Sequence, residues 1–64
     1  MKLYIEKTGK KKELSFKGTL KELLALEGIN PTTVVLIKNG EVVLEDEQVG
    51  DDDEVQLLSV ISGG

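Results

Sequence analysis

The sequence predicts an α+β fold in which one helix packs on one face of a mixed sheet of four to five strands. Three observations carry that prediction. Period-two alternation appears near both ends of the chain, a single capped helical segment lies between, and an Asn-Gly dipeptide joins two β-branched runs. One helix covers only one face of such a sheet, so the other face is left open.

The elements follow in order. In KLYIEK (residues 2–7) Leu3 and Ile5 share one face and Tyr4 takes the other, the signature of a strand. TGKKK (residues 8–12) supplies Gly9 and a polar turn. ELSF (residues 13–16) resumes the alternation with Leu14 and Phe16, giving an N-terminal hairpin. At Thr19 the period changes. Thr19 is a candidate N-cap with Glu22 three residues on, a capping box that satisfies two otherwise unpaired backbone donors. Leu20, Leu23, Leu24 and Leu26 follow at helical spacing, Gly28 stands where a left-handed residue ends a helix, and Pro31 lies just beyond.

TVVLIKNGEVVL (residues 33–44) is a second hairpin about Asn39-Gly40, because both residues tolerate positive φ. Val34 to Ile37 is apolar on both sides, so the pattern leaves its parity open. EDEQVGDDDE (residues 45–54) reads as a polar connection with turns. EVQLLSVI (residues 54–61) is the last strand, with Val55, Leu57 and Ile61 on one face and Gln56, Leu58 and Val60 on the other. Leu58 and Val60, with Tyr4, are the candidate apolar partner-binding residues of the open face.

Composition narrows the function. A chain of 64 residues is one small domain that buries only about 60% of its unfolded surface. It has no cysteine, histidine or arginine, which removes the usual nucleophile, general base and metal ligands. Cysteine usage fits a reducing, cytoplasmic compartment, and no segment has the length of a membrane span or the apolar h-region of a secretory signal. A net charge of −4 argues against nucleic acid as a direct ligand and favours a partner with a basic face. The acidic run Asp51 to Glu54 lacks the spacing of a calcium loop, and Thr8 to Lys12 lacks that of a phosphate loop. No metal or cofactor is expected, and the expected state is a monomer.

Gly63 and Gly64 end the sequence. They offer no side chain to a core and cost the most backbone entropy to order, so folding does not explain them. The element order, the NGEVV hairpin, the acidic DDDEVQLL leading into the last strand and the terminal Gly-Gly together resemble the β-grasp ubiquitin-like proteins. Among these the chain is most similar to the ThiS and MoaD sulfur carriers and the small archaeal modifiers, over essentially its whole length. The resemblance implies a β-grasp domain over residues 1–62 and a flexible tail at residues 63–64. It departs from the family at Asp51-Asp52-Asp53, where Asp-Gly-Asp is common, so the turn there is expected to differ in shape.

The resemblance also implies chemistry at the tail. A terminal carboxylate titrates near about 3.5 and is a poor electrophile until it gains a leaving group. Adenylation by ATP supplies one, with charge stabilised by metal and basic groups that this chain lacks. An adenylating, ubiquitin-activating-like enzyme is therefore the implied partner and this protein its substrate. Gly64 would supply the reacting carbonyl and Gly63 the slim approach. Sulfide from a sulfur-transfer enzyme would give a C-terminal thiocarboxylate, a donor for thiamin or tRNA thiolation. Amine attack would link the chain to lysines of target proteins. The competing reading is a pure interaction domain that uses the open sheet face and no terminal chemistry.

Overall fold

The computed structural model describes residues 1–60, so the expectations for Ile61 and for the Gly63-Gly64 tail lie outside the described residues. The chain runs β1 (Lys2–Ile5), β2 (Lys10–Glu13), β3 (Gly18–Thr19), α1 (Leu20–Glu27), a 3-10 turn (Pro31–Thr33), β4 (Val34–Lys38), β5 (Glu41–Val43), β6 (Gln48–Val49) and β7 (Glu54–Ser59). Five strands form one mixed sheet in the order β2-β1-β7-β4-β5, and β3 pairs with β6 in a separate two-stranded ladder. The central strand β7 runs parallel to β1 and antiparallel to β4. This is the expected α+β arrangement.

Helix α1 forms where its local chemistry says it should. The Thr19 hydroxyl accepts from the Glu22 N–H, and the Glu22 carboxylate accepts from the Thr19 N–H, closing the capping box. Gly28 ends the helix at φ 70°, where its N–H reaches back to the last carbonyls. Leu20, Leu23 and Leu24 are fully buried, but Leu26 is not part of the core and stands 72% exposed. At 100° per residue it points well away from the stripe that the other three leucines form.

The core is one cluster between helix and sheet. Leu3 and Ile5 from β1, Leu36 from β4, and Val55 and Leu57 from β7 meet the three helix leucines. Leu14, Phe16, Ile29, Val34 and Val43 close its margins. Val34 and Leu36 thus face the core, and Val35 and Ile37 take the open side, which settles the parity that the sequence left open. The decision comes from pairing: Leu36 sits opposite the buried Leu57, and Val35 opposite Leu58.

Two sequence expectations are corrected. The second strand is the lysine-rich Lys10–Glu13 and not residues 13–16. The turn closes with the Gly9 N–H donating to the Glu6 carbonyl, so the ladder begins at Ile5 opposite Lys10. It ends with Met1 and Leu14 exchanging hydrogen bonds, and Leu14 and Phe16 then leave the sheet to pack under the core. The connection of residues 45–54 is also more than a polar turn. It contributes β6, whose Val49 is buried at 4% exposure opposite Gly18.

The departure at the three aspartates is accommodated without a left-handed residue, since Asn39 is the one non-glycine with positive φ among the described residues. Side-chain acceptors shape the turn instead. Asp53 takes the Gly50 N–H at 2.7 Å, and Asp51 takes the Phe16 N–H at 2.8 Å. The acidic run is therefore a set of acceptors that ties β6 and the Leu14–Lys17 segment to the entry of β7.

Candidate functional site

The open face of the sheet is a grid fixed by strand register. Its middle row reads Lys11, Tyr4, Gln56, Ile37 and Val42, from the β2 edge to the β5 edge. The next row toward the chain end pairs Leu58 with Val35. Leu44, two residues beyond Val42, falls on the same side at the β5 edge, and Val60, two beyond Leu58, follows β7.

This face is uneven in chemistry. Val42, Leu44 and Val60 are 73%, 75% and 52% exposed, and Val35, Ile37 and Leu58 are half-buried among them. They make an apolar patch across β7, β4 and β5. A shallow groove of about 570 Å³ lies at the β4–β5 edge, lined by residues of both faces, Val34 to Leu36 and Val42 to Leu44, with Glu45 and Asp46. The β1–β2 side is polar. There Lys2 stands between Glu13 and Glu54 in the register, and the Lys11 ammonium lies 6.0 Å from the Tyr4 ring centroid, within reach of a weak cation–π contact. A larger open groove of about 840 Å³ at this corner is walled by those charges. Its other apolar lining, Leu3 and Val55, is buried, so Tyr4 is the one apolar side chain it exposes.

The end of β7 is firmly placed. The Ser59 N–H donates to Glu6 Oε1 at 2.9 Å, and the Val60 N–H donates to the Thr33 carbonyl at 3.1 Å. Position 60 is thereby held beside the start of β4 and at the margin of the apolar patch. Anything attached beyond Val60 starts from a fixed point on that margin.

Of the residues singled out from sequence, Tyr4 and Leu58 lie on the open face and Val60 lies exposed at its end. Leu58 and Val60 join the apolar patch, whereas Tyr4 belongs to the polar corner with Lys11 and Gln56. Gly63 and Gly64 lie outside the described residues. Sequence reasoning missed Val42 and Leu44. A signal was present, because a two-residue Asn-Gly turn pairs Lys38 with Glu41 and hence Ile37 with Val42.

Two charged groups near the patch are perturbed. The Asn39 amide, the Gly50 N–H and Lys38 hold the Asp53 carboxyl below its ordinary value of 3.8. Lys38 is raised above 10.5, chiefly by its hydrogen bond to Glu47 at 3.0 Å. Both groups fix loops around β4 and β5, and neither points to acid–base catalysis. Among the described residues no helix is long and apolar enough to cross a membrane.

Comparison with known proteins identifies the family and the fold. The ThiS family model matches residues 2–64. The sulfur carrier protein TtuB of Thermus thermophilus is 39% identical over 56 residues, which span 84% of this chain and 86% of that protein. The crystal structure of the thiamine biosynthesis protein ThiS from Geobacter metallireducens superposes with a TM-score of 0.63 at 30% identity, covering all of both chains. That match carries the β-grasp fold across the whole sheet and helix.

Proposed function

The chain belongs to the ThiS family of sulfur carriers, and from that premise we propose that Gly64 is its acyl terminus and the apolar half of the open face its docking surface. A sulfur carrier is a substrate and not a catalyst, and a sequence without histidine, cysteine or arginine suits that role. The partner is an adenylating enzyme that supplies the basic groups and metal. A Gly64 carboxylate oxygen attacks the α-phosphorus of ATP and pyrophosphate leaves. Sulfide then adds to the carbonyl carbon and AMP leaves, giving the C-terminal thiocarboxylate with no change of oxidation state. The sulfur passes on to a biosynthetic acceptor, in thiamin synthesis or tRNA thiolation.

One observation carries the docking assignment. Leu58, Val35, Leu44 and Val60 gather at the end of β7, which is the point from which the sequence continues toward Gly64. A partner that grips this patch receives the following residues next to its own grip. Two glycines without Cβ atoms then thread a narrow channel that a branched side chain would block.

The test is incubation with the cognate activating enzyme, ATP and a sulfide source, read by mass spectrometry. The expected product is a mass gain confined to Gly64, lost on deletion of Gly63-Gly64 and strongly reduced in Leu58→Asp. Turnover that survives the deletion would overturn the assignment of the terminus. Turnover that is indifferent to Leu58→Asp would overturn the docking face. Conjugation of Gly64 to target lysines would appear in the same assay as higher-mass adducts.

A further inference from the structure

Asn39 does more than turn a hairpin. Its N–H donates to the Glu54 carbonyl at 2.8 Å, its Oδ1 accepts from the Glu54 N–H at 2.9 Å, and its Nδ2 donates to Asp53 Oδ1 at 2.9 Å. Asp53 is in turn fixed by the Gly50 N–H, and its carbonyl accepts from the Lys2 N–H at 3.2 Å. Both polar ends of one side-chain amide are thus engaged, and they tie the β4–β5 turn to the entry of β7. The following residue is Gly40 at φ 85°.

That pairing of features has a chemical meaning. A glycine after asparagine leaves its backbone nitrogen unshielded, so the nitrogen can reach the asparagine Cγ. We propose that Asn39-Gly40 is a deamidation site, held shut by the hydrogen bonds from Asn39 to Asp53 and Glu54 and opened only when that latch opens locally. In the step the Gly40 nitrogen attacks Asn39 Cγ and loses its proton, the Cγ–Nδ2 bond breaks, and ammonia leaves with a succinimide in place. Water then opens the ring at either carbonyl, giving aspartate or isoaspartate. The latch resists this because attack requires Cγ to turn toward the Gly40 nitrogen, which breaks the Nδ2 and Oδ1 hydrogen bonds.

The product cannot re-form the latch. A carboxylate at position 39 has no proton to donate to Asp53 Oδ1 and would stand beside it as a like charge. Isoaspartate also lengthens the turn backbone. Either change loosens the hairpin that carries Ile37 and Val42, and because the ammonia is lost, conversion runs one way and accumulates with age.

The experiment follows conversion at Asn39 by peptide mapping during incubation of the full chain in warm, mildly alkaline buffer. The folded protein is expected to convert at least about tenfold more slowly than the same chain held unfolded in urea. Asp53→Ala removes the acceptor of the Nδ2 hydrogen bond and is expected to speed conversion in the folded protein by several-fold to about tenfold. Thr19→Ala weakens the remote helix cap and should leave the rate unchanged, because the opening is local. Amide exchange at Glu54 in the unaltered protein is a measurement that needs no variant, and protection of that amide is expected. Conversion as fast folded as unfolded, an unaffected rate in Asp53→Ala, equal acceleration by Thr19→Ala, or an unprotected Glu54 amide would each overturn the proposal.

Discussion

The two hairpins flank β7 from opposite sides and are built on different plans. Hairpin β1–β2 turns through Glu6–Gly9 and ends in an outer strand, Lys10–Glu13, that is exposed at every position. Hairpin β4–β5 turns through Asn39-Gly40 alone, and its outer strand puts Val42 on the open face. Toward the core they are equivalent, since Leu3 and Leu36 both reach the same cluster. Away from the core they diverge. Lysines along β2 guard that edge against strand pairing, whereas β5 carries the apolar Val42 outward beside Ile37 of β4. Core-building and the surface chemistry of the open face are therefore separable within one sheet, because alternate residues of a strand answer to different solvents.

That contrast can be tested from its largest consequence down. Leu3→Ala and Leu36→Ala should each remove about 3 kcal/mol of stability in urea unfolding, since both side chains are buried in the same cluster. A much smaller loss for either would show that the two hairpins do not share the core equally. Leu58→Asp, on the open face, should lower kcat/KM for adenylation by about 30-fold, roughly 2 kcal/mol of docking energy. Its unfolding midpoint should move far less than that of Leu36→Ala.

Gly40→Ala should cost about 1 kcal/mol, because a side chain at φ 85° is strained although the space around it is empty. Its pairing register, read from amide exchange across β4 and β5, should persist. The pH dependence comes next. Asp53 is held below 3.8, so its contribution to stability is present above that pH and is lost as pH falls through the lowered folded value. Asn39→Ala removes the largest cause of that depression and should flatten the acid limb of a urea-midpoint-against-pH curve. The smallest effect belongs to the β2 edge. Lys11→Ala should change stability by less than about 0.5 kcal/mol and leave adenylation unchanged, and a marked loss of turnover would move the docking surface to the Tyr4 corner.

The candidate site was partly legible. Leu58 and Val60 could be placed together because β7 alternates cleanly, and Tyr4 because Leu3 and Ile5 mark the opposite face. Val42 and Leu44 escaped notice. Exposed apolar residues look like core residues in a sequence, and only the side on which the strand lies tells them apart. Val49 failed in the other direction. It is one apolar residue in an acidic stretch, and its burial depends on β6 pairing with β3, some thirty residues earlier in the chain.

By itself the sequence determined what short-range chemistry controls. Helix α1 begins at a capping box and stops at Gly28, the second hairpin turns at Asn39-Gly40, and β1 and β7 show which of their residues face inward. Each depends on hydrogen bonds or sterics within a few residues, or on a contrast between apolar and polar neighbours. Only the tertiary structure decided the register of β1 against β2, the parity of Val34–Ile37 and the burial of Val49. Where both faces of a strand are apolar, alternation carries no contrast to read, and the choice falls to the strand opposite. Val35 and Ile37 face outward because Leu57 claims Leu36 for the core.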